Sequence, residues 1–347
     1  MRVDIEEQFA AFSCKYHFSE RVAGVEQVGF KDIDVLYGLK RVSGFVRDIS
    51  LSKGDAFEID ANAGVSAGPA GRAFIKLMGV KISELSIRSK VYEFDPYVEL
   101  GVRFLLDVEL CSVCYGIKGF NCMNCSVDVA RRLNSCVERI RSEVCSSKFQ
   151  ARLNRYQRSG NKNLKEINRY IDALFGFYSR LLVLRVDLSY RKEYSDISLE
   201  KAISDRVRLF CNARSNKIFS EMVGYVWKLE HGMEKGFHFH VMFFYDGSKV
   251  REDVTRAQRI GEYWKREITG YRGIYYNCNA SKARYKSCGI GMINHDDALA
   301  IEWLRQAAVY LAKSDLYMKV KTTRRGMGKG KMPAIKVRRG RPRRIKD

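Results

Sequence analysis

The stretch GYVWKLEHGMEKGFHFHVMFFY, residues 224–245, carries three of the chain's five histidines and reads as two strands joined by a short turn. In its second strand Phe237, Phe239, Val241 and Phe243 fall on one side and His238, His240, Met242 and Phe244 on the other, because successive strand side chains alternate faces. His238 and His240 therefore point the same way, and Glu230 closes the partnering strand. Two imidazoles and a carboxylate form a donor set suited to a divalent cation such as Mg²⁺ or Mn²⁺. The bland reading is a pair of polar residues on the outer face of a half-buried strand. A bulky apolar residue between the histidines and an acid at the end of the preceding strand favour the ligand reading.

Outward from this hairpin the pattern is regular. A helical rhythm over residues 164–178 leads into an apolar strand at 181–188, then a helix at 199–213 with Ser198 as its N-cap. After the hairpin come a helix at 254–268, a strand at 273–278 and a helix at 297–313. The order β-α-β-β-α-β-α predicts an α+β domain. Its first six elements form an antiparallel sheet with helices on one face, a split β-α-β arrangement of the ferredoxin or RRM type. The histidines are expected on the exposed face. A polar, basic stretch at 150–163, broken by Ser159, Gly160 and Asn161, marks the boundary with a mixed N-terminal region.

Length allows two domains with cores of their own, since the chain has 347 residues of which 46% are hydrophobic. A formal charge of +22 calls for a polyanionic partner, nucleic acid or an anionic membrane. With no apolar run of about eighteen residues and no basic amphipathic start, the membrane option weakens and the protein reads as cytoplasmic. Residues 1–110 are the least informative, with alternating pieces at 42–49 and 98–110 that suggest strands. The glycines at 64, 68 and 71 do not lead into Gly-Lys-Ser/Thr, so this stretch reads as a loop and not a phosphate cradle. Within 111–150, Cys111, Cys114, Cys122 and Cys125 make two C-x-x-C knuckles whose spacing can close a structural Zn²⁺ site next to a helix. Cys136 shares a helical face with Leu133, Val137 and Ile140 and reads as core.

From Lys319 onward there are thirteen Lys or Arg and one acid, Asp347, so residues 319–347 read as a basic DNA-binding tail. Arg339 and Arg341 flank Gly340 there, similar to the core of an AT-hook that enters the narrow minor groove. In the last helix Tyr310 and Lys313 are one turn apart. A tyrosine oxygen can attack a phosphodiester when a metal withdraws charge from the phosphate, and a lysine can offset the developing charge. Tyr317, two turns further on, competes for the role if the helix continues.

Three ordered motifs together resemble the inovirus-type (YagK/YfjJ-like) replication initiators of the HUH endonuclease superfamily. They are Leu184-Arg185-Val186-Asp187-Leu188, Glu230 with Gly236-Phe237-His238-Phe239-His240-Val241, and Tyr310-Leu311-Ala312-Lys313-Ser314-Asp315. The likeness covers roughly residues 164–318. It implies nicking of single-stranded or hairpin origin DNA to start rolling-circle replication in a bacterial host cell, with host helicase and polymerase as partners. His238 and His240 would hold the metal, and Tyr310 would join the 5′ end. Glu230, His231 and Asp187 all remain open as the third ligand. Arg185 is a candidate DNA contact. A transposase or relaxase, or a non-catalytic DNA-binding regulator on the same fold, are the alternatives.

Overall fold

Burial at Leu39, Val42, Val46 and Ile49 follows helical spacing, and residues 30–51 form one helix where strand alternation was expected. The computed structural model describes residues 19–22, 25–28, 30–60, 64–78, 90–106, 127–232, 235–285, 287–313 and 317–333. Cys111, Cys114, Cys122 and Cys125, and with them the expected zinc knuckles, lie outside the described residues, as do Arg339 and Arg341. The chain divides into two units, one of residues 29–160 with 314–321, the other of residues 1–28, 161–313 and 322–347.

A hairpin of β1 (Ser19–Val22) and β2 (Val25–Val28) precedes the first helix, α1 (Phe30–Leu51). In the unit of residues 29–160, α1 is joined by the hairpin β3 (Phe57–Asp60) and β4 (Gly64–Ala67), the helix α2 (Pro69–Met78), the strand β5 (Tyr92–Phe94) and the helices α3 (Pro96–Leu105) and α4 (Val127–Cys145). The glycine-rich loop of the sequence is thus in part a hairpin leading into a helix, and residues 98–105 are helical. Asn134 on α4 holds β3 as another strand would. Its Nδ2 donates to Phe57 O and its Oδ1 accepts from Phe57 N, both at 2.8 Å. Cys136 is buried among Leu133, Val137 and Ile140, as its helical face predicts. The boundary at Gly160 and Asn161 falls inside an uninterrupted helix, α5 (Ser147–Phe177), because neither Ser159 nor Gly160 is followed by a residue that cannot continue it.

Asp95 and Pro96 show why α3 starts where it does. The Asp95 carboxylate accepts from Tyr97 N at 3.0 Å and Val98 N at 3.4 Å, capping the helix, while Pro96 fills the first turn where no N–H is needed. Burial pushes the Asp95 carboxyl up to about 6 against the pull of these bonds, the Ser43 hydroxyl and Lys319. The folded chain then binds this proton more tightly than the unfolded chain. The stability this confers is complete below the ordinary carboxylate range and is lost as pH rises through about 6. Asp95→Asn keeps an acceptor at the cap. The stability gap between it and the wild type should therefore change by about 2.4 kcal/mol from pH 4 to pH 7, as read by urea melts, and a gap constant with pH would refute the assignment.

The other unit is built on a six-stranded antiparallel sheet. After α5 come β6 (Arg180–Tyr190), α6 (Leu199–Asn212), β7 (Met222–Gly232), β8 (Gly236–Asp246), α7 (Asp253–Tyr263), β9 (Gly273–Asn277), β10 (Gly291–Asn294) and α8 (Ala298–Lys313). Ser198 caps α6 as expected, accepting from Lys201 N. Strand order is β10-β6-β8-β7-β12, where β12 is Met327–Lys329, with β9 also paired to β6. β10 pairs with Arg180–Val183 and β9 with Val186–Tyr190, and the buried Asn279 side chain fills the gap between them. Its Oδ1 accepts from Arg185 N at 2.8 Å and its Nδ2 donates to Val183 O at 3.0 Å, so neither backbone group of β6 is left orphaned.

Helices cover both faces. Phe210 of α6, with Phe219 and Trp264 just beyond α6 and α7, packs on Phe243, Phe239 and Tyr190, the face away from the histidines. On the other face, Tyr170, Ile171 and Leu174 of α5 and Leu304, Ala308 and Leu311 of α8 bury Leu181, Val183, Val226, Met242 and Phe244. The histidine face is therefore not open as expected. β6 is apolar on both sides over Leu181–Leu184, as a strand covered twice must be.

The basic tail is also structured at its start. β11 (Met318–Val320) pairs with β5, and β12 (Met327–Lys329) pairs with β7 as the sheet's edge. Gly328 allows this close approach, since a Cβ there would lie 2.7 Å from the Trp227 ring.

Candidate metal centre

Strand register brings the site together. Glu230 is paired with His238 across β7 and β8, and Asp187 with His240 across β6 and β8, so all four side chains share one face. One ligand atom from each of Glu230, His238 and His240 lies within 4.8 Å of the others. Glu230 Oε2 is 3.3 Å from His240 Nε2 and 3.8 Å from His238 Nε2. Ligand atoms about 2.0–2.3 Å from one ion must stand about 3–4.5 Å apart, and the two distances from Glu230 fall in that range.

The far nitrogens are fixed by other groups. His238 Nδ1 lies 3.1 Å from Gly236 O, which places the ring proton there and leaves the Nε2 lone pair facing Glu230. His240 Nδ1 lies 2.7 Å from Asp187 Oδ1, at an angle too poor for a well-formed hydrogen bond. Asp187 in turn meets Arg185 Nε at 3.3 Å. A carboxylate behind a ligating imidazole sets its orientation and raises its basicity.

Charge follows this layout. Burial opposes ionisation of Glu230, but the hydrogen bond and charge of His240, then His238 and Lys228, hold its carboxyl far below the usual carboxylate range. Burial likewise opposes Asp187, and Arg185 and His240 hold it low. Burial lowers His240 too, but Asp187 and Glu230 outweigh it and raise the ring to about 9. His238 goes the other way, pushed down by burial and by the charged His240. The raised basicity of His240 favours a proton on Nε2, the nitrogen that faces Glu230, and ligation would displace it.

Of the three open third ligands, Glu230 is the one whose carboxylate stands with the two imidazoles. His231 turns to the opposite face, its ring edge-on to Phe237 at 4.7 Å, and Asp187 stands behind His240. Arg185, a candidate DNA contact, is only 6% exposed and is turned to Asp187. It supports the site from within. Tyr310 and Lys313 are carried by α8, the helix that lies over the histidine face; their side chains lie outside the described residues. The described part of α8 runs to Lys313; Tyr317 directly precedes β11, and its carbonyl accepts from Asp95 N at 2.9 Å. Lys228, on the same face beside Glu230 and 3% exposed, is a residue that sequence reasoning missed; its position opposite His240 in the hairpin was the available signal.

Gly236 starts β8 with φ of 61°, and a Cβ there would lie 2.1 Å from Ser195 O. Both the left-handed backbone and the close approach require glycine. Gly236→Ala should lower stability by about 2 kcal/mol or more and weaken metal binding as well, because the Gly236 carbonyl orients His238. Unchanged melting and metal titration would show that the turn is not constrained in this way.

The family model of the YagK/YfjJ C-terminal domain matches residues 145–330, just over half of the chain. The chain therefore belongs to the YagK/YfjJ family. No curated protein and no solved structure matches it.

Proposed function

We propose that the protein is an HUH-type tyrosine endonuclease of the inovirus replication-initiator type, which nicks single-stranded origin DNA to start rolling-circle replication in the cytoplasm of a bacterial host. The observation that carries this reading is the Glu230, His238 and His240 set, with its imidazoles oriented by Gly236 O and Asp187. These three residues would hold a divalent Mg²⁺ or Mn²⁺, which when bound draws charge from the scissile phosphate. The Tyr310 oxygen attacks phosphorus, the bond to the 3′ oxygen breaks, and that oxygen leaves with a proton as the free 3′-OH. The 5′ phosphate stays on Tyr310. Lys313, one turn away on the same helix, offsets charge on the leaving oxygen. Host polymerase would extend the 3′ end and host helicase would open the duplex. The placement of α8 over the histidine face supports Tyr310 as the nucleophile.

The test is cleavage of a single-stranded hairpin oligonucleotide taken from the inverted repeat beside the encoding gene, with Mn²⁺ and with EDTA. A metal-dependent nick with protein on the 5′ end is expected. Tight binding without cleavage at any metal concentration would make the protein a DNA-binding regulator.

A further inference from the structure

On the face of the sheet away from the histidines, the Arg206 guanidinium lies flat over the Trp227 ring, 3.8 Å from its centroid. Its Nε is buried without a hydrogen-bond partner. Beside it Phe210 and Tyr225 form a stacked pair with centroids 4.1 Å apart. Arg324, just ahead of β12, is near enough to Arg206 to depress its basicity further, after burial, and Arg214 acts on Tyr225 from the α6 side. Among the described residues no carboxylate lies within ion-pair distance of Arg206, Arg214 or Arg324, although other surface arginines such as Arg266 and Arg305 are paired.

Three unpaired like charges converging on one aromatic patch are unfavourable unless an anion joins them. A guanidinium stacked on an indole keeps its outward N–H groups for a planar oxyanion, which suits phosphate. Half-buried aromatic rings among them suit unpaired bases and offer little for a lipid surface to bury. We propose that this patch binds the phosphodiester backbone of single-stranded nucleic acid, on the face of the sheet opposite the metal centre. It does not rest on Tyr310 chemistry.

Binding of labelled oligo(dT) is measured by anisotropy across a salt series, in EDTA, so that neither metal nor cleavage enters. Arg206→Gln with Arg324→Gln should lower the slope of log affinity against log salt by about 1.4, two phosphate contacts at about 0.7 each. Arg324→Gln alone, at an exposed position, should lower it by about 0.7 and guards against a folding defect in the double variant. Lys249→Gln, a surface lysine paired with Glu221, should leave the slope unchanged. An unchanged slope in Arg324→Gln and the double variant overturns the proposal, as does a loss confined to phosphatidylserine vesicles with strand binding intact. Failure of the hairpin to be nicked would leave these outcomes standing.

Discussion

His240→Ala is expected to abolish measurable Mn²⁺ binding, because it removes one of three protein ligands from a set whose geometry leaves no substitute. His231, the nearest other imidazole in sequence, faces away and packs on Phe237. Asp187→Asn should behave differently. Its oxygen does not face the centre but lies behind His240, 2.7 Å from Nδ1, so the three ligands survive. Only the orientation and basicity of one imidazole change, and a loss of roughly 10–100-fold in affinity is expected. Arg185, buried and turned to Asp187, would also lose its counter-charge, so the melting temperature of this variant should fall. Titration calorimetry with Mn²⁺ separates the two. If Asp187→Asn is as severe as His240→Ala, Asp187 is itself a ligand; if His240→Ala binds as the wild type does, the centre is not a metal site.

What could be read from the sequence follows from how local each relation is. His238 and His240 share a face because strand periodicity is two, and Glu230 faces His238 because one hairpin turn sets the register. Asp187 reaches His240 through β6 and β8, which are separated in sequence by α6 and β7. No local pattern carries that pairing, so Asp187 could be no more than one of three open candidates. For the same reason Arg185 reads from sequence as a candidate DNA contact: nothing in its neighbours in sequence shows that it will turn to Asp187. In the N-terminal region the error was one of period. Val42, Val46 and Ile49 are spaced by four and three, and Asp95-Pro96 is a helix start, so both stretches are helical although their apolar alternation suggests strands. β12 is three residues with a central glycine and becomes a strand only because β7 offers an open edge.

Tyr310→Phe is expected to eliminate the covalent protein–DNA adduct while leaving metal and DNA binding near wild type. The substitution keeps the ring on α8 and removes only the oxygen that can join the 5′ phosphate. Loss of a nucleophile that no neighbouring group replaces costs about 10⁴-fold or more in rate. The replacement named from sequence is Tyr317, and its place argues against it. The Tyr317 backbone is engaged with Asp95 beside the β5–β11 pair, while Tyr310 is carried by α8, which packs on the sheet that holds the histidines. The readout is a denaturing gel of end-labelled hairpin DNA with each single variant. An adduct that persists in Tyr310→Phe and disappears in Tyr317→Phe would move the nucleophile to Tyr317. Partial adduct in both would mean that two tyrosines alternate. Loss in Tyr310→Phe alone, with Mn²⁺ titration unchanged, places the nucleophile on α8 over the histidines and separates it from the ligands that Glu230, His238 and His240 supply.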